Sequence, residues 1–173
     1  MTNAIPRADH CGSLIRPTAL KQARIEFVHG HLSRDRLEEI EDRAILDVLA
    51  MQRDVGLDVF SDGEFRHGSW LAAISEEFFE GMRDEGIDYI RYPFLKGVKI
   101  EDPKVEVPAN PIVVGKLKLK RRTTNREIAF LRRHAPGPFK TTVPSPVTLS
   151  RTSYRPGISD QVYPTWKDSP TPI

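Results

Sequence analysis

Cysteine is nearly absent: Cys11 stands alone among 173 residues, which excludes an intramolecular disulfide and fits a reducing compartment. No segment approaches the roughly 18 consecutive apolar residues of a membrane-spanning helix. The first residues, Met-Thr-Asn-Ala-Ile-Pro-Arg, lack the apolar core of a secretory signal. Together these absences predict a soluble, cytoplasmic chain. An excess of either charge is missing too, since 26 basic residues face 24 acidic ones for a net charge of +2, and this gives no support to a nucleic-acid or membrane-surface partner. The basic run Lys116-Leu-Lys-Leu-Lys-Arg-Arg122 carries no interleaved aromatic residue to stack on bases, so it reads as a solvated strand face. Aromatics are only 8% of the chain, but the hydrophobic fraction of 39% suffices for one domain with a core.

Two segments carry most of the information: Arg7-Ala-Asp-His-Cys-Gly-Ser-Leu-Ile-Arg-Pro17 and Gly56-Leu-Asp-Val-Phe-Ser-Asp-Gly-Glu-Phe-Arg66. Each reads as a strand that runs into a glycine-bearing turn and ends on polar residues, the arrangement that sets side chains at the mouth of a parallel β/α barrel. Function is therefore expected at Ser13, Asp62 and Glu64. Asp62 and Glu64 straddle Gly63, so their carboxylates could converge on an ammonium group. The Ser13 hydroxyl and the exposed backbone N–H groups at Gly12 could hold a carboxylate.

Between the segments, Pro17 opens a helix over Thr18–Val28 that Gly30 ends. Ser33 caps a longer one, in which Leu37, Ile40, Ala44, Val48, Met51 and Val55 recur at steps of three and four until Gly56. A short apolar strand over Leu57–Phe60 follows directly, which is β/α grammar. Trp70, Ile74, Phe78 and Met82 step by four and predict a second outer helix. Residues 87–115 form an irregular, proline-rich insertion, with a short alternating strand expected over Ile112–Leu119. A helix is expected over Thr124–His134, and the Pro136-Gly-Pro138 break leads into a third barrel strand at Phe139. Twelve of the 14 prolines follow residue 92, and the aperiodic 163–173 is expected to be an irregular, non-native tail.

The two segments, and Phe139-Lys-Thr-Thr-Val-Pro-Ser-Pro-Val-Thr-Leu149 after them, resemble the cobalamin-independent methionine synthase family, in its C-terminal catalytic barrel and in the short stand-alone proteins built on that barrel. The spacing from Ser13 to Glu64 is similar to the family's spacing between its two amino-acid-binding turns. The resemblance implies a partial (β/α)8 TIM barrel, an α/β fold in which residues 1–162 supply about three β/α units with one insertion. A whole barrel of this kind needs roughly 250 residues. An open sheet edge then invites self-association.

The resemblance further implies a zinc-dependent transfer of methyl from 5-methyltetrahydropteroyl-glutamate to homocysteine, with Ser13, Asp62, Glu64 and His10 holding the amino-acid substrate. Arg66, Trp70 and Ser145 are expected to contact folate or line the mouth. The family's zinc ligands, a His-x-Cys pair, a Glu and a second Cys, lie beyond the third strand, and no His-x-Cys occurs in this chain. The chain is thus expected to be a fragment without metal ligands, inactive alone. A related zinc enzyme that opens epoxides with other thiols is the alternative chemistry. Adjacent His10 and Cys11 would point to opposite faces of a strand, which disfavours a shared metal and places Cys11 in the packing.

Overall fold

The computed structural model describes residues 9–67, 79–85, 110–120, 122, 124–143 and 145–169. The chain divides into two compact units, Met1–Arg66 with Thr124–Thr142 and His67–Thr123 with Val143–Ile173. Trp70 and residues 86–109 of the expected insertion lie outside the described residues. Among the described residues no helix is long and apolar enough to cross a membrane.

The first unit is built from three helices. Helix α1 (Thr18–Val28) follows Pro17, whose fixed φ suits a helix start, and buries Leu20 and Ala23. Helix α2 (Arg34–Asp54) is capped by Ser33, whose Oγ accepts the Arg36 N–H at 3.2 Å. It ends in a Schellman turn: Leu57 N–H reaches Gln52 O and Gly56 N–H reaches Arg53 O, both at 3.0 Å, with Gly56 left-handed at φ 80. Helix α3 (Asn125–His134) contributes Leu131. Leu37, Ala44, Ile45, Val48 and Leu49 of α2 pack with Leu20, Leu131, Phe60 and Phe65 into one cluster. Each large side chain removed from water there is worth about 1.5–3 kcal/mol.

The strands expected in this unit are corrected to something much shorter. Phe60 and Phe139 form a single parallel bridge, in which Phe60 N–H donates to Pro138 O and Lys140 N–H donates to Phe60 O, both at 2.9 Å. The pairing cannot lengthen far in either direction. Pro138 has no N–H to offer on one side, and on the other the 63–66 turn begins three residues after Phe60. Residues 9–17 form no strand either, and Leu14 N–H donates to Gly63 O at 3.2 Å.

In the second unit, strands β1 (Phe79–Glu85) and β2 (Asn110–Leu119) pair antiparallel. The helix expected through Met82 is corrected here, because residues 79–82 belong to β1. Between the pairs Glu80–Lys118 and Met82–Val113, Gly81 alone stands opposite residues 114–117. This bulge turns Phe79 and Met82 into one cluster with Val113 and Tyr163. Residues 70–78 of the expected helix lie outside the described residues. Lys116 and Lys118 of β2 are exposed, as a solvated strand face requires.

Helix α4 (Pro146–Ser153) and a 3₁₀ turn (Ser159–Gln161) complete this unit. Ser159 Oγ donates to Val113 O at 2.7 Å, and the Tyr163 hydroxyl accepts the Leu117 N–H at 3.0 Å. Residues 163–169 form turns, yet Tyr163 and Ser169 are buried.

Candidate functional site

The turn Asp62-Gly63-Glu64-Phe65 is the most constrained piece of the first unit. Gly63 is left-handed at φ 68, and Glu64, which carries a full side chain, is left-handed as well at φ 59. Outside glycine that conformation costs on the order of 1 kcal/mol per residue and persists only where the surroundings impose it. Here they do. Asp62, buried, accepts the Glu64 N–H on Oδ1 at 2.9 Å, and Arg16 donates from Nη2 to Glu64 O at 3.1 Å. The Glu64 carboxylate itself is half-buried and has no partner among the described residues.

Two polar residues of α2 hold this turn from below. Near the helix C-terminus, Gln52 exchanges two hydrogen bonds with the Ser61 backbone, Oε1 accepting its N–H at 3.0 Å and Nε2 donating to its carbonyl at 2.9 Å. Three helical turns earlier, Glu41 sits buried beside three guanidinium groups: Arg24 at 3.5 Å, Arg66 at 3.6 Å and Arg126 at 3.8 Å. Burial pushes the Glu41 carboxyl above its ordinary value, with Arg24, Arg66 and Arg126 pulling it back down. Arg66 also meets Asp42 at 2.6 Å and lies over the Phe130 ring, and its side chain is 3% exposed. The residue immediately after the turn is therefore tied to α2 by charge.

The first segment approaches the same turn. His10 Nε2 stands 3.0 Å from Ser61 Oγ, which also accepts the Gly63 N–H at 3.1 Å, so the two segments meet across 51 residues. Lys140, next to the Phe60–Phe139 bridge, donates to His10 O and pairs with Asp9 Oδ1 at 2.7 Å. That bond holds the exposed Asp9 carboxyl below its usual range.

Of the residues expected at the site, the structure thus brings together His10, Asp62 and Glu64. Asp62 faces the turn's own backbone, and Arg66 is committed to Glu41 and Asp42. Ser13 is exposed beside left-handed Gly12 (φ 81). Ser145 is exposed at the start of α4 in the second unit. Cys11 is a free, exposed thiol, which corrects the expectation that it packs: residues 9–17 form no strand, so there is no sheet face to bury it. A groove between α1 and α2, lined by Pro17, Leu20, Ile40 and Ala44, includes none of these residues.

Sequence reasoning missed Glu41, Gln52, Ser61 and Lys140. The first two interrupt an apolar stripe at helical spacing, and polar residues inside a buried stripe are the signal that could have found them.

The described fold is similar to part of two solved methionine synthases. A putative vitamin-B12-independent methionine synthase from Listeria monocytogenes superposes with a TM-score of 0.60 at 25% identity, covering 86% of this chain and 40% of that one. A B12-independent methionine synthase from Shewanella sp. W3-18-1, in complex with selenomethionine, superposes with a TM-score of 0.52 at 22% identity, over 72% of this chain and 33% of that one.

Among curated proteins, the uncharacterized protein YxjH of Bacillus subtilis is 34% identical over 83% of this chain and 36% of its own length. The 5-methyltetrahydropteroyltriglutamate–homocysteine methyltransferase of Lactococcus lactis subsp. cremoris is 26% identical over 83% of this chain and 17% of its own. No family profile matches. The chain is thus similar to proteins named as cobalamin-independent methionine synthases, and it spans about a third or less of the length of these curated relatives.

Proposed function

We propose that this chain forms the amino-acid-binding part of a methyltransferase of the methionine synthase type, built as a partial (β/α)8 barrel. In this reading the Glu64 carboxylate accepts the ammonium of homocysteine. The Ser13 hydroxyl and the N–H groups beside it receive the carboxylate, and His10 lines the space between. The methyl donor is 5-methyltetrahydropteroyl-glutamate.

The observation that carries the reading is the left-handed Glu64: a carboxylate without a partner among the described residues, kept in a disfavoured backbone conformation by Asp62 and Arg16. The names of the relatives support the class of reaction. Zinc, which the resemblance implies, finds no group of three His, Cys, Asp or Glu side chains among the described residues. His10 is engaged by Ser61, and Cys11 is exposed. The described residues do not fit the metal, and no step is assigned to it.

Titration of L-methionine, the product of the proposed transfer, into the full chain tests the reading by calorimetry or amide chemical shifts. Saturable binding is expected, with loss in Glu64→Gln and no binding of the des-amino analogue. Equal binding of the analogue would remove the ammonium role from Glu64.

A further inference from the structure

Gln52 is completely buried, and a residue there that served packing alone would be apolar. Its side-chain amide instead makes three hydrogen bonds. One is to its own helix, Nε2 to Val48 O at 3.1 Å, and two are to the backbone of Ser61. Donation and acceptance at a single residue is what a paired strand would supply, so Gln52 substitutes for a β neighbour where the parallel contact stops after Phe60. Ser61 passes the constraint on, its Oγ accepting the Gly63 N–H and meeting His10 Nε2. From helix to turn the order is Gln52, Ser61, Gly63, Glu64, without a break in hydrogen bonding or covalent connection.

We infer that Gln52 is a positioning residue for ligand binding: it fixes Ser61, and through it the left-handed Gly63–Glu64 backbone that aims the carboxylate. The inference deepens the amino-acid reading of Glu64 and rests on that reading only for its binding readout. Met in place of Gln keeps the side-chain length and removes all three bonds, leaving the Ser61 N–H and carbonyl buried without partners.

The test combines amide hydrogen exchange with L-methionine titration on the full chain. In Gln52→Met, the Gly63 and Glu64 amides should exchange at least tenfold faster while those of Ile45 and Leu49, on the same helix, change less than twofold. L-methionine affinity should fall at least tenfold. Leu49→Ala serves as the core control: it should lower the thermal midpoint without singling out the two turn amides. Ser61→Ala, which leaves the Ser61 backbone bonds in place, should accelerate Gly63 selectively, and Gln52→Asn, which keeps the amide but shortens its reach to Ser61, decides the matter should Gln52→Met fail to fold. Exchange at Gly63 and Glu64 that merely follows the thermal midpoint in every variant would overturn the inference. So would selective acceleration with unchanged L-methionine affinity. If the unaltered chain does not bind L-methionine, the Glu64 reading fails and exchange alone decides the positioning role.

Discussion

At Gly81 the backbone is left-handed (φ 80) because β2 leaves no room for a side chain, and a Cβ there would stand 2.5 Å from the Lys116 carbonyl oxygen. At Gly63 (φ 68) the nearest obstacle is the Phe65 ring at 3.0 Å, and the left-handed path continues into Glu64, which has no glycine's freedom. The first is a packing solution between two strands. The second is a conformation held against residue preference, and it ends on a carboxylate that has no partner among the described residues. Left-handed Gly81 thus reports where two strands approach closely, whereas left-handed Glu64 reports where the surroundings impose a geometry on a residue that disfavours it.

Variants at the two turns should separate these causes, and Gly81→Ala should have the largest effect. The obstacle is backbone rather than a movable side-chain tip, so loss of about 4 kcal/mol, enough to undo the β1–β2 pairing, is expected in denaturant unfolding. Gly63→Ala meets a ring that can shift and should lose about 1–2 kcal/mol.

Glu41→Gln replaces a carboxyl whose charge is disfavoured by burial with a neutral side chain of the same shape, so its effect on stability should depend on pH. Its pH dependence has a definite sign. The folded carboxyl titrates above its ordinary value, so the folded state binds the proton more readily than the unfolded chain, and the stability linked to that proton is full below pH 4.5 and lost as pH rises through the folded value. The stability of the unaltered chain relative to Glu41→Gln, followed by unfolding at several pH values, should rise as pH falls.

Glu64→Gly should act in the opposite direction on stability. Removing the side chain releases the left-handed strain, and the thermal midpoint should rise by the equivalent of about 0.5–1 kcal/mol while ligand binding is lost. Lys140→Met should have the smallest effect. It removes the partner that lowers the Asp9 carboxyl, a contribution present above pH 3.8 and lost as pH falls through the lower folded value. Direct titration of Asp9 by carbon chemical shift should show its value returning upward in the variant.

Helices α1 and α2 were legible in the sequence because Pro17, Gly30, Ser33 and Gly56 mark their ends in residues whose backbone chemistry leaves little choice. The packing face of α2 was legible only in part. A stripe traced through apolar residues drifts to Met51 and Val55, which are 42% and 65% exposed, while the buried lattice runs instead through Glu41 and Gln52. Strand β1 was hidden because Trp70, Ile74, Phe78 and Met82 step by four as a helix does, whereas the pairing that makes residues 79–85 a strand is with residues 110–119, far along the chain. At the site, Glu64 could be read from its turn and its distance from Ser13. Its supports could not, since Gln52, Ser61 and Arg66 act through hydrogen bonds and charges that connect residues far apart in sequence.

The most direct test of the central claim, that the strained Glu64 turn exists to bind an amino acid, is L-methionine titration of the unaltered chain and of Glu64→Gly, with the thermal midpoint of each measured alongside. The account predicts saturable binding to the unaltered chain, and in Glu64→Gly loss of binding together with a higher midpoint. Undiminished binding by Glu64→Gly would contradict it.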